Sequence, residues 1–176
     1  MTKDIENQPK KRLSRSVVTK NQWVSLYKDR ILSTSGQELE YWCVDRSNSA
    51  IVIVIQDGLF LLSDKQFRPG INKSTLDFVG GRIDKKDPKV AAELILRREL
   101  QISKSDFLTI KPLNNEPLFV DSSFSDQEIY GFVAEIDKQI VTKTKRYTLE
   151  ELFDNLYCLQ CRVMLYEWQR QFALID

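Results

Sequence analysis

An α/β sandwich built on a mixed sheet is the fold class this sequence predicts, and three observations predict it. Short β-rich segments fill the first part of the chain, a proline-capped helical segment interrupts them near residue 88, and further strands lead into a helical C-terminal region. With 176 residues, 42% of them hydrophobic, the chain can bury one full core and hardly two, so residues 21–176 are expected to form a single domain.

Taken in order, residues 1–20 carry six basic and two acidic side chains with little apolar content, which reads as a flexible basic tail. Such a tail is either a solvated leader or an arm for phosphate or a partner. From Trp23 the pattern becomes WVSLY, ELEYWCV, AIVIVI and LFLLS, all rich in β-branched and aromatic residues. Gln56-Asp57-Gly58 between the last two is a hairpin signal. Asp77-Phe78-Val79 reads as a brief strand running into Gly80-Gly81, where the backbone can turn sharply or approach a ligand closely. Asp87-Pro88 supplies an N-cap and a proline at the first helical position, and Lys89 to about Ile102 holds good helix formers. Strands follow around Pro117 to Val120 and Ile129 to Ile136, separated by the polar loop DSSFSDQE. Thr148-Leu-Glu-Glu151 is a capping box that opens a helical region reaching Phe172, with a break allowed.

Composition narrows the function classes. Twenty-six basic residues against 25 acidic ones leave a net charge of +1, so no global field drives the chain onto nucleic acid or an anionic membrane. The longest apolar run, Ala50 to Ile55, is far too short to span a bilayer, and the N-terminus lacks an apolar signal core. A cytoplasmic protein without a membrane partner is expected. Three cysteines make no disulfide framework. Cys158 and Cys161 form a CxxC inside LYCLQCRVMLYEW, which reads as a helix on a core. With no histidine and only Cys43 left to complete a zinc site, they are expected to be buried structural thiols.

The ordered set Gln66-Phe67-Arg68, Asp77, Gly80-Gly81, Asp87-Pro88 and Ala91-Ala92 resembles the Nudix hydrolase superfamily, in particular its ADP-ribose pyrophosphatase branch. The later FSDQEIYGFVAEI resembles the loop and strand that supply a catalytic glutamate in that branch. The resemblance implies a Nudix-type α/β/α sandwich with a mixed sheet. It also implies a homodimer in which the strands between Trp23 and Val44 cross to the partner and help form the ligand site.

The chemistry of the family explains the spacing of its motif. Three glutamates at i, i+3 and i+4 share one helix face and hold Mg²⁺ against a substrate diphosphate, where the ions neutralise charge and activate water. This sequence departs from the motif there. Aligned on Ala91-Ala92 with the preceding loop one residue short, Leu94 takes the place of the motif arginine and Ile95, Arg98 and Glu99 those of the glutamates. Without the gap the three are Leu96, Glu99 and Leu100; sliding to Arg98-Glu99-Leu100 as the motif's own triplet gives Glu99, Ile102 and Ser103. Glu99 survives alone in every register. The later glutamate falls on Gln127, with Glu128 beside it, and the motif's terminal glycine on Gln101 or Ile102.

Two readings follow. In the first, the protein has lost metal-dependent diphosphate hydrolysis and acts as a sensor of a nucleotide diphosphate of the ADP-ribose kind, or as a protein-interaction module. Arg98 then neutralises a phosphate directly, since a guanidinium binds phosphate oxygens without a metal. Arg68, Asp77, Gly80, Gly81 and Gln127 complete the ligand-binding set, although each also has a plain structural reading as surface arginine, strand-end acid or turn. Ile95 on the former metal face implies an apolar cover, from a partner subunit or a rearranged loop. No cofactor is expected under this reading.

In the second, the protein is an active hydrolase of ADP-ribose or sugar nucleotides. Glu99, as metal ligand and catalytic residue, would combine with Glu128, Glu93, Asp84 or Asp87 around Mg²⁺ or Mn²⁺. Glu93 and Glu99, six residues apart, fall on largely different helix faces and are poor co-ligands. A transcription regulator would normally carry a DNA-binding module, and only the basic tail offers such a contact, so a nucleic-acid partner is not expected. Trp23, Tyr41 and Trp42 are read as core or dimer packing.

Overall fold

The computed structural model describes residues 11–84, 86–142 and 144–172. Contacts divide the chain into two compact units, residues 1–47 with 119–127, and residues 48–118 with 128–176, where composition led to one domain.

The first unit is a three-stranded antiparallel sheet of β1 (Lys11–Lys20), β2 (Ser25–Leu32) and β3 (Glu38–Asp45). The tail expected through residue 20 therefore does not extend over Lys11–Lys20; residues 1–10 lie outside the described residues. The physical reason is cross-strand pairing. Arg15 lies opposite Asp29 in the β1–β2 register, and its Nε and Nη2 donate to both carboxylate oxygens at 2.8 Å. A run of charges that looks solvated in sequence finds its counter-charge on the next strand. Asn21 closes the turn by accepting the Trp23 and Val24 amides on its Oδ1.

The second unit contains β4 (Ser49–Gln56), β5 (Leu59–Leu62), β6 (Gln66–Arg68), β7 (Lys73–Thr75) and β8 (Val79–Arg82). Along the chain there follow α1 (Pro88–Leu100), β9 (Phe107–Pro112), β10 (Leu118–Phe119), whose Phe119 belongs to the first unit, β11 (Glu128–Ile136), β12 (Lys145–Tyr147), α2 (Leu149–Asn155) and α3 (Leu159–Phe172). The sheet runs β10-β11-β4-β5-β12, with β8 also pairing β4 and β9 also pairing β11. It is mixed because β11 runs parallel to β4, Ile129 opposite Ser49 through Glu135 opposite Ile55, while β5 and β8 pair β4 antiparallel. The β4–β5 hairpin closes through Asp57 and Gly58, both at positive φ (52° and 76°), as the Asp-Gly signal requires.

Alternation along β4 sends Ala50, Val52 and Val54 to one face of the sheet. There they meet Ala91, Ala92, Ile95, Leu96 and Leu100 of α1 in one buried cluster. On the β5 strand Leu61 joins that cluster, while Phe60 points the other way and stands edge-on to Trp168 of α3, ring centroids 4.8 Å apart. Helices therefore cover both faces of the sheet.

The helix ends follow from local chemistry. Asp87 caps α1 by accepting the Lys89 and Val90 amides, and Gln101 in left-handed conformation (φ 59°) returns its N–H to the Leu96 carbonyl. Thr148 and Glu151 form the expected capping box on α2. The C-terminal helical region breaks at 156–158, so Cys158 precedes α3 instead of lying inside a helix. The strand expected over Asp77–Val79 begins only at Val79. No helix among the described residues is long and apolar enough to cross a membrane.

Candidate functional site

The helix α1 face that meets β8 decides between the three motif registers. Leu96 and Leu100 are buried in the core, so the register that uses them has no accessible face for a cation. Ile102 and Ser103 lie beyond the end of α1 at Leu100 and share no helical face with Glu99. The remaining register, Ile95, Arg98 and Glu99, is the one that touches the Gly80-Gly81 backbone. Arg98 Nη2 donates to the Gly80 carbonyl at 3.3 Å, and a Cβ on Gly81 would stand 2.9 Å from Arg98 Nη2 and 3.3 Å from Ile95 Cγ1. A side chain at Gly81 would therefore press on Ile95 and displace the exposed Arg98 guanidinium.

Glu99, with 27% of its side chain exposed, accepts a 2.7 Å hydrogen bond from Arg98 Nε. A cation on this face would meet a single carboxylate already neutralised by a guanidinium, a poor fit for a family metal site that depends on several carboxylates. Ile95 is 2% exposed, and its own chain covers it through Gly81 and the core. The apolar cover expected from a partner or rearranged loop is therefore supplied within the unit.

The other acids have local engagements. Asp87 caps α1, Glu93 lies 3.4 Å from Lys104, and Asp84 lies 3.7 Å from Arg82. Glu128 accepts from Asn48 Nδ2 at 2.8 Å and from the Tyr130 hydroxyl at 2.9 Å; that hydrogen bond pushes the Tyr130 pKa up. Gln127, expected to face a ligand, is buried and donates its amide to the Ser47 carbonyl at 2.9 Å.

Arg68 and Asp77 come together. Arg68 Nε donates to Asp77 Oδ2 at 2.8 Å, Thr75 Oγ1 donates to the same oxygen at 2.9 Å, and the Asp77 side chain is only 10% exposed. Beside Asp77 lie Cys158 and Cys161. Hydrogen bonding from the Cys161 thiol holds the Cys158 thiol down to about 6, while the same bond and burial push Cys161 up. Sequence reasoning did not connect these three residues.

In the first unit, a hollow of about 420 Å³ is lined in part by Arg15, Tyr27, Tyr41, Phe119, Phe124 and Asp126. The Arg15 guanidinium stacks over the Tyr27 ring at 4.6 Å while gripping Asp29, whose carboxyl it holds below the usual range. Sequence reasoning passed over this hollow because Arg15 was assigned to a tail. Trp23 is 60% exposed, and Tyr41 and Trp42 are also exposed, so none of the three forms core within the chain.

No protein-family model and no curated protein sequence matches the chain. Among solved structures, the crystal structure of an ADP compounds hydrolase superposes with a TM-score of 0.77 at 14% identity, covering 94% of this chain and 95% of that one. The architecture is accordingly the Nudix-type α/β/α sandwich with a mixed sheet that the motif series led us to expect.

Proposed function

We propose that this chain is a Nudix-fold protein that binds a nucleoside-diphosphate compound of the ADP-ribose kind without hydrolysing it. The observation that supports this reading is Arg98 lying across Gly81 and bonded to Glu99. In that place a guanidinium supplies positive charge to a diphosphate directly, with no bound cation to activate water. Its Nε and Nη2 are spent on Glu99 and Gly80, which fixes the guanidinium plane, and phosphate oxygens would approach through the N–H groups left over. The neighbouring fold, found in a hydrolase of ADP compounds, supports the ligand class.

A homodimer belongs to the same proposal. Leu13, Val17 and Val18 of β1 and Leu39, Tyr41 and Trp42 of β3 are exposed within the chain, and grouped exposed apolar residues of this kind mark an interaction surface. A second copy of the chain is the occupant the resemblance implies. The protein-interaction reading is favoured by a separate feature, the exposed Val90 and Leu94 with Arg97 beside a hollow of about 500 Å³ on α1.

The test is hydrolysis of ADP-ribose, sugar nucleotides and dinucleotides with Mg²⁺ or Mn²⁺, beside Glu99→Gln and a thermal-shift screen of the same compounds. A ligand-dependent rise in Tm without turnover is expected. Turnover that disappears in Glu99→Gln overturns the proposal in favour of a rebuilt metal site; neither turnover nor shift transfers it to the protein-interaction reading.

A further inference from the structure

We propose that Asp77, Cys158 and Cys161 form a binding site for one thiophilic divalent cation of the zinc class. A carboxylate oxygen of Asp77 and the two sulfurs lie within 4.8 Å of one another. A tetrahedral zinc site with metal–sulfur bonds of about 2.3 Å sets its ligand atoms about 3.5–3.8 Å apart, so side-chain rotations of roughly 1 Å close the set.

The backbone builds this cluster from segments distant in sequence. An isolated parallel bridge between Leu76 and Leu156 lays residues 77–78 alongside 157–158. Cys158 immediately precedes α3, its carbonyl accepting the Arg162 amide at 3.0 Å, and Cys161 follows in the first turn, so the CxxC wraps the beginning of the helix.

The observation that singles out a cation is Asp77. Its Oδ2 is taken by Arg68 and Thr75, whereas Oδ1 is buried and has no hydrogen-bond partner. A buried carboxylate oxygen left unpartnered costs free energy that a bound cation removes, and a carboxylate gripped through its other oxygen is the usual partner of a metal. A disulfide between the two cysteines would leave Oδ1 as it is. Two sulfurs in the set select a soft or borderline ion over Mg²⁺ or Ca²⁺. When the ion binds, two S–metal bonds and one O–metal bond form and the thiol protons leave to solvent. The three anionic ligands are then balanced by the dication and the Arg68 guanidinium. Cys158, half-buried where Cys161 is buried, leaves the fourth position open to water.

The experiment uses the full chain, reduced and freed of metal, titrated with Co²⁺ and followed by absorbance. One Co²⁺ per chain is expected, with an intense near-ultraviolet thiolate-to-cobalt band and the visible bands of tetrahedral cobalt, all displaced by Zn²⁺. Cys158→Ser and Cys161→Ser should each lose most of the thiolate band. Asp77→Asn and Arg68→Ala should keep it but weaken binding about tenfold or more. Cys43→Ser should bind as the parent does, and circular dichroism establishes that each variant is folded. The proposal is overturned by the absence of a thiolate band in the folded parent, by undiminished binding in the Cys158→Ser/Cys161→Ser double variant, or by a Cys158–Cys161 disulfide that persists under reducing conditions.

Discussion

Replacing Arg98 by alanine separates a phosphate-binding role from a structural one, because the two predict opposite balances of stability and affinity. The Arg98 side chain is 61% exposed, so its ion pair with Glu99 is largely screened and contributes less than about 1 kcal/mol. For a chain of this length Tm should fall by no more than about 4 °C. A charge-assisted hydrogen bond to a phosphate is worth about 1.5–3 kcal/mol, so Kd for ADP-ribose should rise about 10- to 150-fold. Isothermal titration with and without EDTA is the assay. The parent should bind equally well in both, since the charge is supplied by the protein, and Arg97→Ala should bind as the parent does. A Kd for Arg98→Ala within about twofold of the parent, or parent binding that requires Mg²⁺, refutes the reasoning.

Other positions test the surrounding fold. A Cβ on Gly131 would sit 2.5 Å from Met164 Sδ and 2.6 Å from Asn114 Oδ1, so Gly131→Ala is expected to lower unfolding free energy by about 2–3 kcal/mol, read from the urea midpoint; a loss under about 1 kcal/mol contradicts the packing described. Gln101 holds a left-handed conformation at the end of α1 without being glycine, and Gln101→Gly should stabilise by about 0.5–1 kcal/mol, while an unchanged or lower midpoint counts against that cap. Asp29 is buried with its pKa held down by Arg15, so its contribution is present above the ordinary carboxylate range and is lost as pH falls through the lowered folded value. Unfolding followed by Trp23 or Trp42 fluorescence from pH 6 to pH 2 should show this acid loss, and Arg15→Gln should flatten it.

Much of the architecture was legible because it rests on local chemistry. The positive-φ turn at Asp57-Gly58, the Asp87-Pro88 start of α1 and the Thr148–Glu151 capping box each follow from side chains within a few residues of the backbone they shape. The apolar-rich strands β4 and β11 likewise declare themselves by composition. The strand β1 did not, because its basic residues look solvated until Asp29, fourteen positions after Arg15, is placed opposite them. The short β9 and β12 escaped for a related reason: what defines them is pairing with β11 and β5, and their own apolar pattern is weak.

The sequence by itself determined that Glu99 is the last of the motif carboxylates, since that conclusion holds in every register and needs no coordinates. Which register faces the Gly80-Gly81 backbone was decided only by the tertiary structure, through the end of α1 at Leu100 and the burial of Leu96 and Leu100. The CxxC was equally plain in sequence, but a count of histidines and cysteines could not supply its third ligand. Asp77 lies some eighty residues away, and it reaches Cys158 and Cys161 through the pairing of Leu76 with Leu156. Ligand sets are assembled by distance in space, and a sequence records distance along the chain.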